Sequence, residues 1–146
     1  MKGTEFISAP DVYTADTLTP IPTLAETDVI VLSGIDRSAN LVDPGSGTQA
    51  TLYINYIEGA LTNATIKVYG SYSDDPTAGE WFQETDAIGD AGTITLHDLE
   101  ITMAANTQCT WHFPIGALRS LRVTIQGTGE SNVGSALDLT LAVRTN

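Results

Sequence analysis

The strongest constraint on the fold of this 146-residue chain is an alternation of apolar and polar residues with a period of two. Between residues 119 and 127, for example, Leu121, Val123 and Ile125 alternate with polar side chains. Successive side chains of a β-strand point to opposite faces, so this pattern places one set against a core and the other toward solvent. Segments of the same kind follow one another from residue 28 to residue 143.

The number and the spacing of these segments predict the fold class. About eight strands follow one another at spacings of roughly 8 to 15 residues, with Gly- and Pro-containing turns between them and no convincing helix. The sequence thus predicts an all-β fold, a single β-sandwich or jelly roll of about eight antiparallel strands. The apolar phase of these strands predicts that the following side chains are buried: Trp111, Leu121, Val123, Leu139 and Leu141.

The first 27 residues have a different character, with three prolines and no sustained periodicity. Such segments tend to be extended and to become ordered only through contacts. We therefore expect residues 1–27 to form an extended N-terminal arm and residues 28–146 to form the sandwich domain. The apolar side chains of this arm are candidate contacts with a neighbouring subunit or partner: Phe6, Val12, Tyr13, Leu18 and Ile21.

The charge of the chain excludes several classes of partner. Eighteen acidic residues against six Lys and Arg give a formal charge of −12. Nucleic acids and anionic membranes both require a basic face, so neither is an expected partner. No apolar run has the length of a membrane span and the N-terminus lacks the apolar stretch of a signal peptide, which favours a soluble protein made in the cytoplasm.

Few residues are available for catalysis. His97 or His112 is a candidate base, and Ser120 or the single cysteine, Cys109, is a candidate nucleophile. On an extended strand, however, Cys109 and His112 point to opposite faces. Nucleotide-binding and nucleophile-elbow motifs are also absent from the sequence. The sequence therefore predicts a protein that is not an enzyme and binds no cofactor.

An acidic loop raises the alternative of a calcium site. Asp74, Asp75 and Glu80, with Asp86 and Asp90 further along, offer oxygen ligands. The regular ligand spacing of a helix–loop–helix calcium site is missing, and acidic loops with Pro and Gly are more often solvated turns. We therefore expect no metal, and the binding of a cation at Asp74–Asp75 stays an open alternative.

Two tyrosines fall on strand faces opposite the main apolar sets. Tyr53 and Tyr69 are therefore candidate contact residues, since half-exposed aromatic side chains are enriched at interfaces. With Tyr72, Trp81 and Phe82 they would also suit a platform for sugar. The competing interpretation is that the large aromatic residues, the tryptophans in particular, fill the core of a small sandwich.

The order of the strands carries a resemblance to a known family. The segments concerned are Asp28-Val-Ile-Val-Leu-Ser-Gly, residues 49–59, residues 64–75 leading to Trp81, Trp111-His-Phe-Pro-Ile, Leu118-Arg-Ser-Leu-Arg-Val-Thr-Ile and Leu137-Asp-Leu-Thr-Leu-Ala-Val. In this order they resemble the small jelly-roll cement, or decoration, proteins of tailed-bacteriophage capsids. The resemblance covers roughly residues 24–145, and none of its motifs is catalytic.

This resemblance implies a non-enzymatic virion protein, made in the host cytoplasm, that binds the outside of an icosahedral capsid and cements neighbouring subunits. The implied partners are the major capsid protein and further copies of the chain itself, in a homodimer or homotrimer. Two alternatives stay open. One is another β-sandwich protein of the phage neck, tail or fibre, and the other is a carbohydrate-binding module.

Overall fold

The computed structural model describes residues 11–35, 49–90, 93–116 and 118–144, with the backbone alone for residues 86–90, 93–97 and 144. Within these ranges the only helical element is a short turn at Ala78–Glu80, and the rest is built from strands. The strands are β1 (Asp11–Thr14), β2 (Thr27–Leu32), β3 (Gln49–Ile57), β4 (Asn63–Ser71), β5 (Phe82–Gln83), β6 (Thr85–Asp90), β7 (Thr93–Asp98), β8 (Glu100–Met103), β9 (Thr107–Pro114), β10 (Ser120–Thr128) and β11 (Ala136–Arg144).

The strands form two main antiparallel sheets. One has four strands in the order β1-β11-β3-β9. The other has the order β2-β10-β4, and the remaining edge of β4 pairs with β8 along one half and with β5 along the other. The chain crosses between the sheets at almost every connection, which gives the eight strand positions of a jelly roll. Strands β6 and β7 form a separate hairpin on the connection from β5 to β8.

The core lies between the inward faces of the two sheets, as the alternation predicts. Leu121 and Val123 of β10 face Leu139 and Leu141 of β11, and all four are almost completely buried. Trp111 is only partly buried, contrary to the prediction, because β9 is the last strand of its sheet and leaves one side of the indole open. Its ring packs against Phe113 at a centroid distance of 5.4 Å.

Residues 11–27 belong to the sandwich, which differs from the predicted division of the chain at residue 27. Strand β1 pairs with β11 over four residues, and Leu18 exchanges two backbone hydrogen bonds with Leu137. The Ile21 side chain is 0% exposed, and its backbone N–H donates to Ser135 Oγ at 2.9 Å. This segment consists of a short edge strand followed by an irregular connection, which explains its prolines and its lack of periodicity. Because neither part is long enough to show a repeating pattern, periodicity alone does not reveal that the segment is ordered.

This placement predicts a stability difference between two apolar residues of the same segment. Replacing the buried Ile21 by Ala should lower the free energy of unfolding by about 2–5 kcal/mol, because it leaves a cavity in the core. Replacing Leu24, which is 99% exposed, should change it by less than about 0.5 kcal/mol. Urea unfolding of both variants measures the difference, and equal stabilities would contradict the placement of Ile21.

Candidate functional site

The outer face of the four-stranded sheet is nearly free of charge. We call it the neutral face. It consists of the outward-pointing side chains of β1, β11, β3 and β9, which alternate with the core residues: Val12, Thr14, Thr51, Tyr53, Asn55, Ile57, Gln108, Thr110, His112, Asp138, Thr140 and Ala142. Among the side chains that the structure describes on this face, Asp138 is the one that is formally charged at pH 7, although the chain contains 18 acidic residues. Arg144, the last residue of β11, falls at the next outward position of the register opposite Gln49, and its side chain lies outside the described residues.

Short side chains make this face flat around one aromatic ring. The register aligns Thr14, Thr140, Tyr53 and Thr110 in a row across all four strands. Tyr53 stands in the middle of the sheet and its side chain is 49% exposed, which confirms the outward position inferred for it from the sequence. The flanking threonines are too short to cover the ring.

A shallow basin of about 460 Å³ lies beside Tyr53. Its rim includes the amides of Asn55 and Gln108 and the carboxylate of Asp138. Asp138 Oδ1 accepts a hydrogen bond from Thr17 Oγ1, and no other residue in the described part of the chain binds its second oxygen. Within the described ranges the Asn55 and Gln108 side chains form no hydrogen bond with the protein. The basin therefore combines an aromatic surface with hydrogen-bonding groups that are free to bind a ligand.

The outer face of the five-stranded sheet carries the opposite character, with charges that pair among themselves. Lys67 Nζ lies 3.7 Å from Glu26 Oε1, and Arg122 Nε lies 3.6 Å from Asp28 Oδ1. These four groups neutralise one another in pairs. A partner that covered this face would have to desolvate these ion pairs, which makes it less suited to docking than the neutral face.

Tyr69 and Trp81 belong to this charged outer face. The guanidinium of Arg122 lies 4.5 Å from the centroid of the Tyr69 ring and 5.1 Å from that of Trp81, in cation–π geometry. The Tyr69 hydroxyl donates to the Glu26 carboxylate at 2.8 Å. Tyr69 points outward as the sequence indicates, but its ring and hydroxyl are engaged within the chain. Trp81 is likewise a partner of Arg122 and does not fill the core.

Two carboxylates of the acidic loop, those of Asp74 and Glu80, have partners within the chain, and the side chains of Asp86 and Asp90 lie outside the described residues. Asp74 receives two hydrogen bonds from Arg119, from Nε at 2.8 Å and from Nη2 at 2.9 Å. Glu80 accepts from the backbone N–H of Thr77 at 2.7 Å and so caps the helical turn. In the part of the chain that the structure describes, no three His, Cys, Asp or Glu side chains are grouped closely enough to hold a metal ion.

The candidate catalytic residues lie apart from one another. Cys109 lies on the core side of β9, whereas His112 lies on the neutral face with Nδ1 2.9 Å from Thr51 Oγ1. Ser120 lies in the other sheet, is fully buried, and donates from Oγ to the Ser73 carbonyl at 2.7 Å. The side chain of His97 lies outside the described residues. The structure therefore assembles no nucleophile–base pair from Cys109, Ser120 and His112.

The candidate contacts of the N-terminal segment divide into exposed and buried residues. Val12 is 60% exposed on the neutral face, and Tyr13 is more than a third exposed at the sheet edge. Leu18 is half-buried and Ile21 is a core residue, so Ile21 is not accessible to a partner. Phe6 lies outside the described residues. Of this set, Val12 and Tyr13 remain accessible.

Several residues of the neutral face were not singled out from the sequence. Asn55, Gln108, Asp138 and Thr140 sit on three different strands, and only the pairing of β9 with β3 and of β3 with β11 brings them around Tyr53. The available signal was the scarcity of charge at the outward positions of these strands.

In comparisons with known proteins, no family model and no curated protein matches the chain. Among the described residues no helix is long and apolar enough to span a membrane.

The Tyr69 contacts predict a loss of stability in alkaline solution. Burial, and then the hydrogen bond to Glu26, raise the pKa of Tyr69 from 10.0 to about 12. The folded protein holds the Tyr69 hydroxyl proton more tightly than the unfolded chain does. The contribution of Tyr69 to the free energy of unfolding is therefore complete below pH 10 and is lost as the pH rises through about 12. Unfolding of Tyr69→Phe should therefore depend less steeply on pH in this range than that of the wild type. Tyr72→Phe, at an exposed tyrosine, is the control and should retain the wild-type slope.

Proposed function

We propose that this chain is a non-enzymatic structural protein of a tailed-phage virion, which binds the outer surface of the icosahedral capsid and cements neighbouring major capsid subunits. The observation that carries the proposal is the neutral face. It is a flat, nearly uncharged surface on an otherwise strongly acidic protein, and the exposed ring of Tyr53 stands in its centre.

The composition of this face suits a protein partner. The buried centres of protein interfaces are depleted of charged residues and enriched in tyrosine, whereas their rims are polar. On the neutral face, Tyr53 is surrounded by threonines and amides, and Asp138 is the one carboxylate. A surface with so few charges loses little hydration energy when a partner covers it. Tyr53 would act as the anchor of the contact.

The sequence resemblance supplies the identity of the partner. Three of the segments that resemble cement proteins correspond to β3, β9 and β11, the strands that carry most of the neutral face. The jelly roll itself occurs both in viral capsid proteins and in lectins, so the fold supports the proposal without deciding it.

Cementing on this surface requires no chemical step. A protein that binds two adjacent subunits at once favours the assembled shell over free subunits by mass action. The rest of its surface is acidic, so free copies do not aggregate through it and remain soluble until they reach the shell. The basic groups Lys67, Arg119 and Arg122 are already paired with carboxylates and are not needed for attachment.

Truncation of the anchoring tyrosine tests this proposal. Tyr53→Ala should weaken binding to purified capsids about 30-fold, the effect of losing about 2 kcal/mol at an interface hot spot. Tyr72→Ala removes a tyrosine that is 67% exposed elsewhere on the molecule, and should leave the affinity unchanged. Co-sedimentation with capsids, with the bound copies counted per shell, measures both effects.

The copy number separates the alternatives within the virion. A cement protein should occupy the shell in numbers that are a multiple of its symmetry-related sites. A few copies per particle, confined to the neck or tail, would identify another virion component. Equal affinities of the two tyrosine variants would overturn the assignment of the neutral face.

A carbohydrate-binding module is the second candidate, and the basin beside Tyr53 favours it. An exposed aromatic ring with the amides of Asn55 and Gln108 and the free oxygen of Asp138 offers stacking and hydrogen bonds to a neutral sugar. Under this alternative, calorimetric titration with neutral oligosaccharides should show saturable binding that Tyr53→Ala abolishes. Capsid binding should then be absent in both the wild type and the variant.

A further inference from the structure

Strand β9 forms an edge of the four-stranded sheet that has little of the usual protection against pairing. It comprises eight residues, Thr107–Pro114, and pairs with β3 on one side. In the described part of the chain, no backbone hydrogen bond joins the other side of β9 to any segment. Such an edge presents a row of N–H and C=O groups to another strand, and proteins normally protect it by shortening it, by charging it or by placing Pro on it. The only proline of β9 is Pro114, at its last position, which leaves residues 107–113 able to pair.

The other edges of the two main sheets show this protection. Strand β1 has four residues and contains Asp11, β2 has six and contains Asp28, and β8 has four and contains Glu100. Strand β5 has two residues. By contrast, β9 contains no Asp, Glu, Lys or Arg. The longest of the described edges is thus also one without a charge.

We propose that β9 pairs with β9 of a second copy of this chain in an antiparallel dimer. A second copy fits this edge because an antiparallel strand edge is complementary to itself, with N–H and C=O groups that match those of an identical strand. The charge of −12 restricts where two copies can meet, because they can approach closely only where neither presents carboxylates. The β9 edge meets that requirement. It also carries Cys109 and Trp111, which are half-buried where the two sheets open, and a second strand would cover them.

The geometry of this pairing is self-consistent. Antiparallel neighbours in one sheet are related by a two-fold axis perpendicular to it, so each outer face stays on the same side. The core-side residues Cys109 and Trp111 would meet core-side residues of the partner, and Thr110 would meet outward residues. The two neutral faces would then join into one continuous surface on a sheet of about eight strands.

This dimer supplies a contact for the self-association that the family resemblance implies, and in that sense the inference rests on the proposed function. Its test, however, uses the protein alone and requires no capsid. A failure of self-association therefore overturns the dimer while leaving capsid binding to its own experiment.

Two matched double variants test the pairing. The first variant combines Gln108→Asp with Thr110→Asp and so adds two carboxylates at exposed positions of β9. The control variant combines Val12→Asp with Thr14→Asp and adds two carboxylates at exposed positions of β1, on the opposite edge of the same sheet. Sedimentation equilibrium up to about 1 mM protein should show a wild-type dimer, with a Kd of about 1 mM or lower. We expect the β9 variant to weaken dimerisation at least about 10-fold and the β1 variant to change it less than about 3-fold.

Amide hydrogen exchange of the wild type checks the same contact without substitutions. Raising the protein concentration through the Kd should slow exchange in residues 107–114 and leave residues 11–14 unchanged. A wild type that is monomeric throughout, or a trimer, or equal weakening by the two variants, would overturn the inference.

Discussion

The register between β11 and β3 is the constraint on which the rest of the structure depends. These central strands pair over nine residues, from Ala136 opposite Ile57 to Arg144 opposite Gln49. A slip of one residue would exchange the two faces of a strand. It would turn Leu139 and Leu141 toward solvent and Asp138 and Thr140 into the core. The same register that builds the core therefore also composes the neutral face.

The two outer faces of the sandwich distribute charge in different ways. On the five-stranded sheet, Arg122 is held between two aromatic rings and beside Asp28, so its charge is used within the chain. On the four-stranded sheet, threonines and amides surround Tyr53 and leave it exposed. An acidic chain that keeps one face nearly uncharged retains its solubility and still offers a surface that a protein can cover.

Period-two alternation was sufficient to predict the all-β sandwich and its main core, because strands β3, β4, β10 and β11 each have one buried face. It also placed Tyr53 and Tyr69 on outward faces. It was insufficient at the edges. Trp111 follows the apolar phase, yet an edge strand leaves it partly exposed. The four residues of β1 are too few to show a period, so the sequence predicts an arm where the first strand of the jelly roll lies.

The candidate site was less predictable than the fold because it depends on contacts between distant segments. Asn55, Gln108 and Asp138 meet around one basin through the pairing of three strands, and the sequence alone does not specify that pairing. Tyr69 and Tyr53 have equivalent sequence patterns, but Glu26 and Arg122 engage the first and leave the second free.

The central claim is that attachment uses the neutral face and does not use the acidic remainder of the surface. The most direct test is the affinity for purified capsids as a function of salt, from about 0.05 M to about 0.5 M, a range that strongly shortens the reach of surface charges. Docking through the neutral face predicts a Kd that changes less than about twofold. A Kd that rises tenfold or more over this range would show that the carboxylates carry the attachment, and would contradict the account.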